Sequence, residues 1–137
     1  MGVVSAKNTI ALSMATSDPK EALFKAVGDL SGYEIFHNQI LVAIYVRPEK
    51  TAGGIIRPNQ NVEEDEYQGK VGLVVKVGPT AFLDSEDLDF QGQAVKPGDW
   101  VVFRTGDGWQ LTIRDTACRI LTDRTIRMRI KNPGDIF

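Results

Sequence analysis

The stretch VKPGDWVVFRTGDGWQLTI, residues 95–113, decides the fold that this sequence predicts. Its first turn, Lys-Pro-Gly-Asp at residues 96–99, has the composition of a tight turn between strands. Residues 100–104 and 109–113 predict two short strands, separated by the turn residues Gly106-Asp107-Gly108. We therefore expect a β-hairpin in which these two strands are partners.

Short strands and turns continue on both sides of this stretch. Residues 39–46 are an almost unbroken run of Ile, Leu, Val and Tyr, which predicts a strand buried on both faces or at a barrel wall. Residues 70–77 alternate, with one face formed by Val71, Leu73, Val75 and Val77, and residues 118–121 predict a further short strand. Short strands with turns every 8–12 residues or so indicate a mainly β protein, a small barrel or sandwich.

The last predicted strand, within residues 124–131, separates apolar from basic side chains. A period of two directs three apolar residues to the interior, namely Ile126, Met128 and Ile130. The opposite face then carries cations that we expect to point outward: Arg127, Arg129 and Lys131, with Arg124 beside them. This row is either a charged edge that blocks unwanted strand pairing or a contact face for an acidic neighbour, such as the 63–66 run of another subunit.

Residues 1–36 precede the strands and predict an arm followed by one short helix. Asp18 suits the N-cap, Pro19 the first helical position, and an apolar stripe predicts a helix over about 19–30 that ends at Ser31-Gly32. We expect this segment to lie outside the barrel core and the arm, residues 1–17, to reach a neighbouring subunit. Residues 132–137 are predicted to form a short tail after the barrel.

The composition of the chain excludes several classes of function. The 137 residues carry a net charge of −2, which excludes a strongly basic nucleic-acid binder, and no apolar stretch is long enough to predict a membrane span. The chain has one cysteine, Cys118, which cannot form an internal disulfide. With one histidine, His37, besides, it lacks the four ligands of a Cys/His zinc site. We expect Cys118 to be a small buried side chain and His37 to lie in a loop or at a strand start. Without catalytic motifs, the sequence predicts a non-enzymatic protein that needs no metal or cofactor.

Two polar excursions interrupt the strands, at residues 47–68 and 80–94. The first contains Gly53-Gly54 directly before Ile55-Ile56, and it ends in the acidic run 63–66. Two glycines leave the backbone wide freedom, and bulky apolar residues in a polar loop indicate an interaction site. We therefore expect a protein partner to bind here, unless the isoleucines simply begin a strand.

The order of these segments resembles GroES-like co-chaperonins over about residues 37–130. The resemblance rests on several short stretches taken together: Ile40-Leu41-Val42, Glu49-Lys50-Thr51-Ala52-Gly53-Gly54-Ile55-Ile56, Gly69-Lys70-Val71, Val77-Gly78-Pro79 and residues 95–103. It implies an irregular β-barrel that assembles into a ring, with residues 80–94 at the position of the family's roof hairpin. It also implies that Gly53 and Gly54 belong to a mobile loop and that Ile55, Ile56 and Arg57 form the tripeptide that docks into a chaperonin.

This sequence departs from that family pattern in three places. The third docking position, usually apolar, is Arg57, and a charge enters an apolar groove only at high cost unless it is paired. The arm with its helix and the C-terminal tail are additions. The hairpin residues 107–113 are most similar to GroES-like proteins of tailed bacteriophages.

Two functions follow from this pattern. The first is an oligomeric cement or decoration protein of a virion head, bound to the major capsid protein and assembled in the host cytoplasm. The alternative is a cytoplasmic co-chaperonin that caps a chaperonin ring through the Gly53-Gly54-Ile55-Ile56 loop and assists protein folding. Neither function requires a membrane or direct contact with nucleic acid.

Overall fold

The computed structural model describes residues 18–46, 70–86 and 89–136, and most of its regular structure there is β. Six strands form one antiparallel sheet in the order β4-β5-β1-β2-β3-β6. The strands are β1 Gln39–Ile44, β2 Val71–Val77, β3 Trp100–Val102, β4 Trp109–Ile113, β5 Thr116–Thr122 and β6 Met128–Ile130. The mainly β fold with one short helix, expected from the GroES-like resemblance, is confirmed.

The central strand β1 is buried on both faces, as its unbroken apolar sequence predicts. Its side chains alternate between two hydrophobic clusters on opposite faces of the sheet. Ile40, Val42 and Ile44 belong to one cluster, and Leu41 and Ala43 to the other. We call the first the loop-side cluster and the second the helix-side cluster, after the segments that cover them.

One helix, α1 Pro19–Val27, precedes the sheet in the described part of the chain. Its N-cap is Asp18, whose carboxylate accepts a hydrogen bond from the amide of Lys20 at 3.1 Å, and Pro19 takes the first position as predicted. The predicted end at Ser31-Gly32 was wrong. The helix stops at Gly28, which adopts a left-handed φ of +73° and donates its N–H to the carbonyl of Phe24, because glycine tolerates this conformation best.

Helix α1 is part of the core. Leu23 and Val27 are fully buried in the helix-side cluster, and Arg114 donates a hydrogen bond to the carbonyl of Val27 while its guanidinium lies 5.6 Å from the ring centre of Tyr33. The expectation that residues 1–36 stay outside the core is therefore wrong for the helix. The apolar stripe of the helix packs on one face of the sheet. The arm, residues 1–17, lies outside the described residues, so its contact with a neighbour stays a prediction.

The predicted hairpin between residues 100–104 and 109–113 was also wrong. Both strands and the intervening turn exist, but β3 pairs with β2 and β6, whereas β4 pairs with β5 at the other end of the sheet. Between them the chain wraps the fully buried guanidinium of Arg119, which donates to the carbonyl oxygens of Arg104, Thr105 and Asp107. Burial is the largest influence on the pKa of Arg119 and lowers it, whereas the negative charge of Asp107 raises it.

The C-terminal strand is shorter than residues 124–131. A 3-10 turn, Asp123–Thr125, comes first and resets the alternation, so that Ile126 packs on the loop-side cluster and Ile130 on the helix-side cluster. Met128, expected inside, is 45% exposed, which corrects the prediction. The outward orientation of Arg127, Arg129 and Lys131 is confirmed by their exposure.

Candidate functional site

The connection between β1 and β2 leaves and rejoins the sheet at adjacent positions. The amide of Tyr45 donates to the carbonyl of Val71 at 2.9 Å, and the Tyr45 ring meets Trp100 edge to face, with centroids 5.6 Å apart. Tyr45 and Val46 are both buried. The sheet therefore fixes both ends of a long connection. The predicted docking residues Gly53, Gly54, Ile55, Ile56 and Arg57 belong to it and lie outside the described residues, so their role stays a prediction.

The backbone of the second excursion, residues 80–94, is held by the carboxylate of Asp84, which lies within it. Asp84 accepts hydrogen bonds from three consecutive amides, those of Phe90, Gln91 and Gly92, at 2.6, 3.1 and 2.7 Å. Gln91 and Gly92 have left-handed φ angles of +50° and +77°, which turn these amides toward one point. One short side chain thus holds the two halves of the excursion together.

A buried carboxylate anchors this excursion to the sheet. Asp123, 5% exposed, accepts from the amide of Phe82 and from Nδ2 of Asn38, both at 3.0 Å. Asn38 directly precedes β1, so Asp123 links the excursion, the central strand and the C-terminal segment. Phe82 packs on the loop-side cluster and contacts Phe90 edge to face at 5.3 Å. The sequence analysis missed Asp123; its only signal was an acid directly after an apolar strand.

Two of the four predicted basic residues, Arg124 and Arg129, contact this excursion. Arg124 forms an ion pair with Asp89, and its guanidinium lies 5.6 Å from the ring centre of Phe90. Arg129 donates to the carbonyl of Ala94 at 2.9 Å and approaches the carboxylate of Asp99 at 3.5 Å.

Arg127 lies between them and differs in its surroundings. Its amide donates to the carbonyl of Val102 at 2.8 Å, and its side chain is exposed. Among the described residues, no carboxylate lies within ion-pair distance of Arg127. Lys131, the fourth predicted member of the face, is exposed beyond the end of β6.

The space between the excursion and the C-terminal segment is a groove of about 440 Å³, which we call the arginine groove. Its lining includes Arg124, Arg127 and Arg129 together with the apolar side chains of Phe82, Phe90, Val95 and Ile126. The groove also contains Asp89 and the satisfied carboxylate of Asp123. Its volume lies within the range of about 300–1,000 Å³ that ligand pockets occupy. The predicted basic row is therefore one wall of a concave surface.

Cys118 and His37 lie where the sequence indicated. Cys118 is buried in the helix-side cluster, and burial raises the pKa of its thiol to about 12, so the reactive thiolate is scarce at neutral pH. His37 lies in the turn before β1, with a left-handed φ of +60°. Both expectations are confirmed.

Neither a metal cluster nor a membrane helix is found in the part of the chain that the structure describes. Within residues 18–46, 70–86 and 89–136, His, Cys, Asp and Glu side chains form no group of three or more that could hold a metal ion. The same ranges contain no helix long and apolar enough to cross a bilayer.

The fold and its surfaces define a small β-sheet protein with a long connection fixed at the sheet and a groove beside its C-terminal strand. Residues 33–129 match the family described as the chaperonin 10 Kd subunit, and the chain belongs to this family. The GroES-like resemblance is thereby confirmed, whereas the likeness to phage members stays a prediction. Helix α1 lies before the matched range.

Several curated relatives are similar to part of the chain. The co-chaperonin GroES of Ruegeria pomeroyi is 38% identical over 77 residues, which cover 56% of this chain and 75% of the relative. The co-chaperonin GroES of Dinoroseobacter shibae is 32% identical over 90 residues, covering 66% and 82%. That of Marinobacter nauticus is 40% identical over 67 residues, covering 49% and 64%.

Proposed function

We propose that this protein is a co-chaperonin: a non-enzymatic oligomer that caps a chaperonin in the cytoplasm and assists protein folding. The observation that carries the proposal is the family match over residues 33–129, because this range includes the whole connection between β1 and β2. Relatives named co-chaperonin GroES support it. No observation favours capsid binding, the first of the two functions predicted from the sequence.

The proposed docking residues are Ile55 and Ile56, carried by Gly53-Gly54. Both ends of their connection are fixed by the Tyr45–Val71 hydrogen bond and by buried neighbours, so binding at the loop need not disturb the sheet. Burying two isoleucines contributes roughly 3–5 kcal/mol before the cost of ordering the segment. We propose that this apolar pair supplies most of the affinity for the chaperonin.

The test is nucleotide-dependent capture by a chaperonin. We expect wild type to co-elute with a chaperonin ring when nucleotide is present and the double variant Ile55→Ser/Ile56→Ser to be lost from the complex. Val62→Ser, an apolar-to-polar change in the same connection, is the matched control and should bind as wild type. Capture of the double variant at wild-type level would refute the proposed docking residues.

A substitution at Arg57 adds a second measurement of chaperonin capture. A charged side chain at the third docking position is unfavourable in an apolar groove unless it meets a partner. We expect Arg57→Leu to strengthen capture by roughly tenfold, about 1.4 kcal/mol. If the variant instead weakens capture, Arg57 contacts a carboxylate of the chaperonin.

A further inference from the structure

The three arginines of the arginine groove differ in how they are paired. Arg124 forms an ion pair with Asp89, and Arg129 lies 3.5 Å from the carboxylate of Asp99. Arg127, which lines the same groove, has no carboxylate partner among the described residues. An anion that enters the groove therefore meets one cation that no described carboxylate pairs and two that hold one carboxylate each.

Two of these guanidinium groups are held in place by neutral contacts as well. That of Arg124 lies 5.6 Å from the ring centre of Phe90, and Arg129 donates from Nη1 to the carbonyl of Ala94 at 2.9 Å. A guanidinium carries five N–H donors, and these contacts occupy only some of them. Donors remain for a ligand, and side chains that are already ordered lose less entropy when the ligand binds.

Aromatic rings form the apolar part of the groove. Phe82 and Phe90 both line it and meet edge to face, with centroids 5.3 Å apart. The buried carboxylate of the groove, Asp123, is 5% exposed, and its two oxygens accept hydrogen bonds from Nδ2 of Asn38 and the amide of Phe82. The groove thus offers guanidinium donors beside aromatic rings.

We propose that the arginine groove binds a small phosphate ester that carries an aromatic group. A single carboxylate would only repeat the contact that Asp89 or Asp99 already makes within the fold. A phosphate ester carries up to two negative charges and three strong acceptor oxygens, so it can contact two guanidinium groups at once. The volume of the groove, about 440 Å³, suits a small molecule.

This site goes beyond the proposed co-chaperonin function. The groove is formed by residues 82–129, whereas the proposed docking residues for the chaperonin are 53–57. Chaperonin capture and binding of the phosphate ester are measured separately, so either proposal can fail while the other stands.

Titration calorimetry of the full-length chain with phenyl phosphate, in low salt, tests the site. We expect one phenyl phosphate per chain, bound about tenfold more tightly than inorganic phosphate, which lacks the ring, or benzoate, which lacks the phosphate. Arg127→Gln removes an exposed guanidinium and should weaken binding by about tenfold. Arg127→Lys keeps the charge but loses the planar fork, so its affinity should be intermediate.

A control variant and a local probe show where the ligand binds. Lys25→Gln removes an exposed cation of α1, outside the groove, and should bind as wild type. Met128 lines the groove and is 45% exposed, so its methyl resonance in methionine-labelled protein should shift as phenyl phosphate is added. Met128→Leu assigns that resonance. Near-ultraviolet circular dichroism checks that each variant is folded.

Four results would overturn the proposal. The first is the absence of saturable binding or of a shift at Met128. The second is equal affinity for benzoate and phenyl phosphate, which would mean that the phosphate is not recognised. The third is wild-type affinity of Arg127→Gln. The fourth is an equal loss in Lys25→Gln and Arg127→Gln, which would show that the ligand responds to the net charge of the protein and not to the groove.

Discussion

The two faces of the sheet are covered in different ways. The helix-side cluster is closed by apolar side chains of α1, a segment that precedes the family range, and Leu23 and Val27 are fully buried there. The loop-side cluster is closed by Ala81, Phe82, Val95 and Ile126. Asp123 holds the amide of Phe82, and Asp84 holds the amides of residues 90–92 in the same excursion. One cover depends on buried area, and the other depends on a few directed hydrogen bonds. Substitutions that leave a cavity should therefore destabilise the helix-side cover, and substitutions that remove a charge should destabilise the loop-side cover.

The largest effect is expected on the helix-side cover. Leu23→Ala removes a fully buried side chain and leaves a cavity, which should lower the free energy of unfolding by about 3 kcal/mol. The measurement is urea denaturation. Phe24→Ala, at the exposed neighbouring position, is the control and should cost about 1 kcal/mol or less. Equal losses for the two variants would mean that α1 does not pack as described.

The next largest effect should come from the anchor of the loop-side cover. Asp123→Asn keeps the shape but cannot accept from both Phe82 and Asn38, so we expect a loss of about 2 kcal/mol in the free energy of unfolding. Asp115→Asn, in an exposed turn, is the matched control and should be nearly neutral. If Asp123→Asn is as stable as the control, hydrogen bonding to a charge does not hold this cover.

A smaller effect is expected at Asp84. Its three hydrogen bonds lie within one exposed excursion, so Asp84→Ala should cost about 1 kcal/mol in global stability. Hydrogen exchange should detect the change locally, with faster exchange at the amides of residues 90–92 and unchanged exchange in β1. Unaltered protection at those three amides would contradict the role given to Asp84.

The smallest effect should follow the loss of the Arg124–Asp89 ion pair. Both side chains are partly exposed, and pairs of this kind contribute about 0–1 kcal/mol. Arg124→Ala should therefore change the free energy of unfolding by about 0.5 kcal/mol or less, and the change should vanish in high salt. A larger, salt-independent loss would indicate that stacking on Phe90 dominates.

Where the sequence pattern was strong, it predicted local structure well. The apolar run at 39–46 predicted a strand buried on both faces, and the Asp18-Pro19 pair predicted the start of α1. The short turn at Gly106-Asp107-Gly108 was also correct. These features depend on residues close together in the chain, so their physical causes, capping, alternation and turn chemistry, are visible in the sequence itself. The docking loop was recognised only by its resemblance to a family and remains a prediction.

Only the tertiary structure decided how distant segments meet. Sequence reasoning paired 100–104 with 109–113 because they are neighbours in the chain, whereas the buried Arg119 draws the intervening carbonyls around itself and β4 joins β5. It treated the arginines after residue 123 as a flat row, whereas Asp123 holds residues 80–94 beside them to form a groove. Both outcomes depend on a buried charge meeting groups remote in sequence. A linear pattern shows which residue carries the charge, but only the folded chain shows which polar groups surround it.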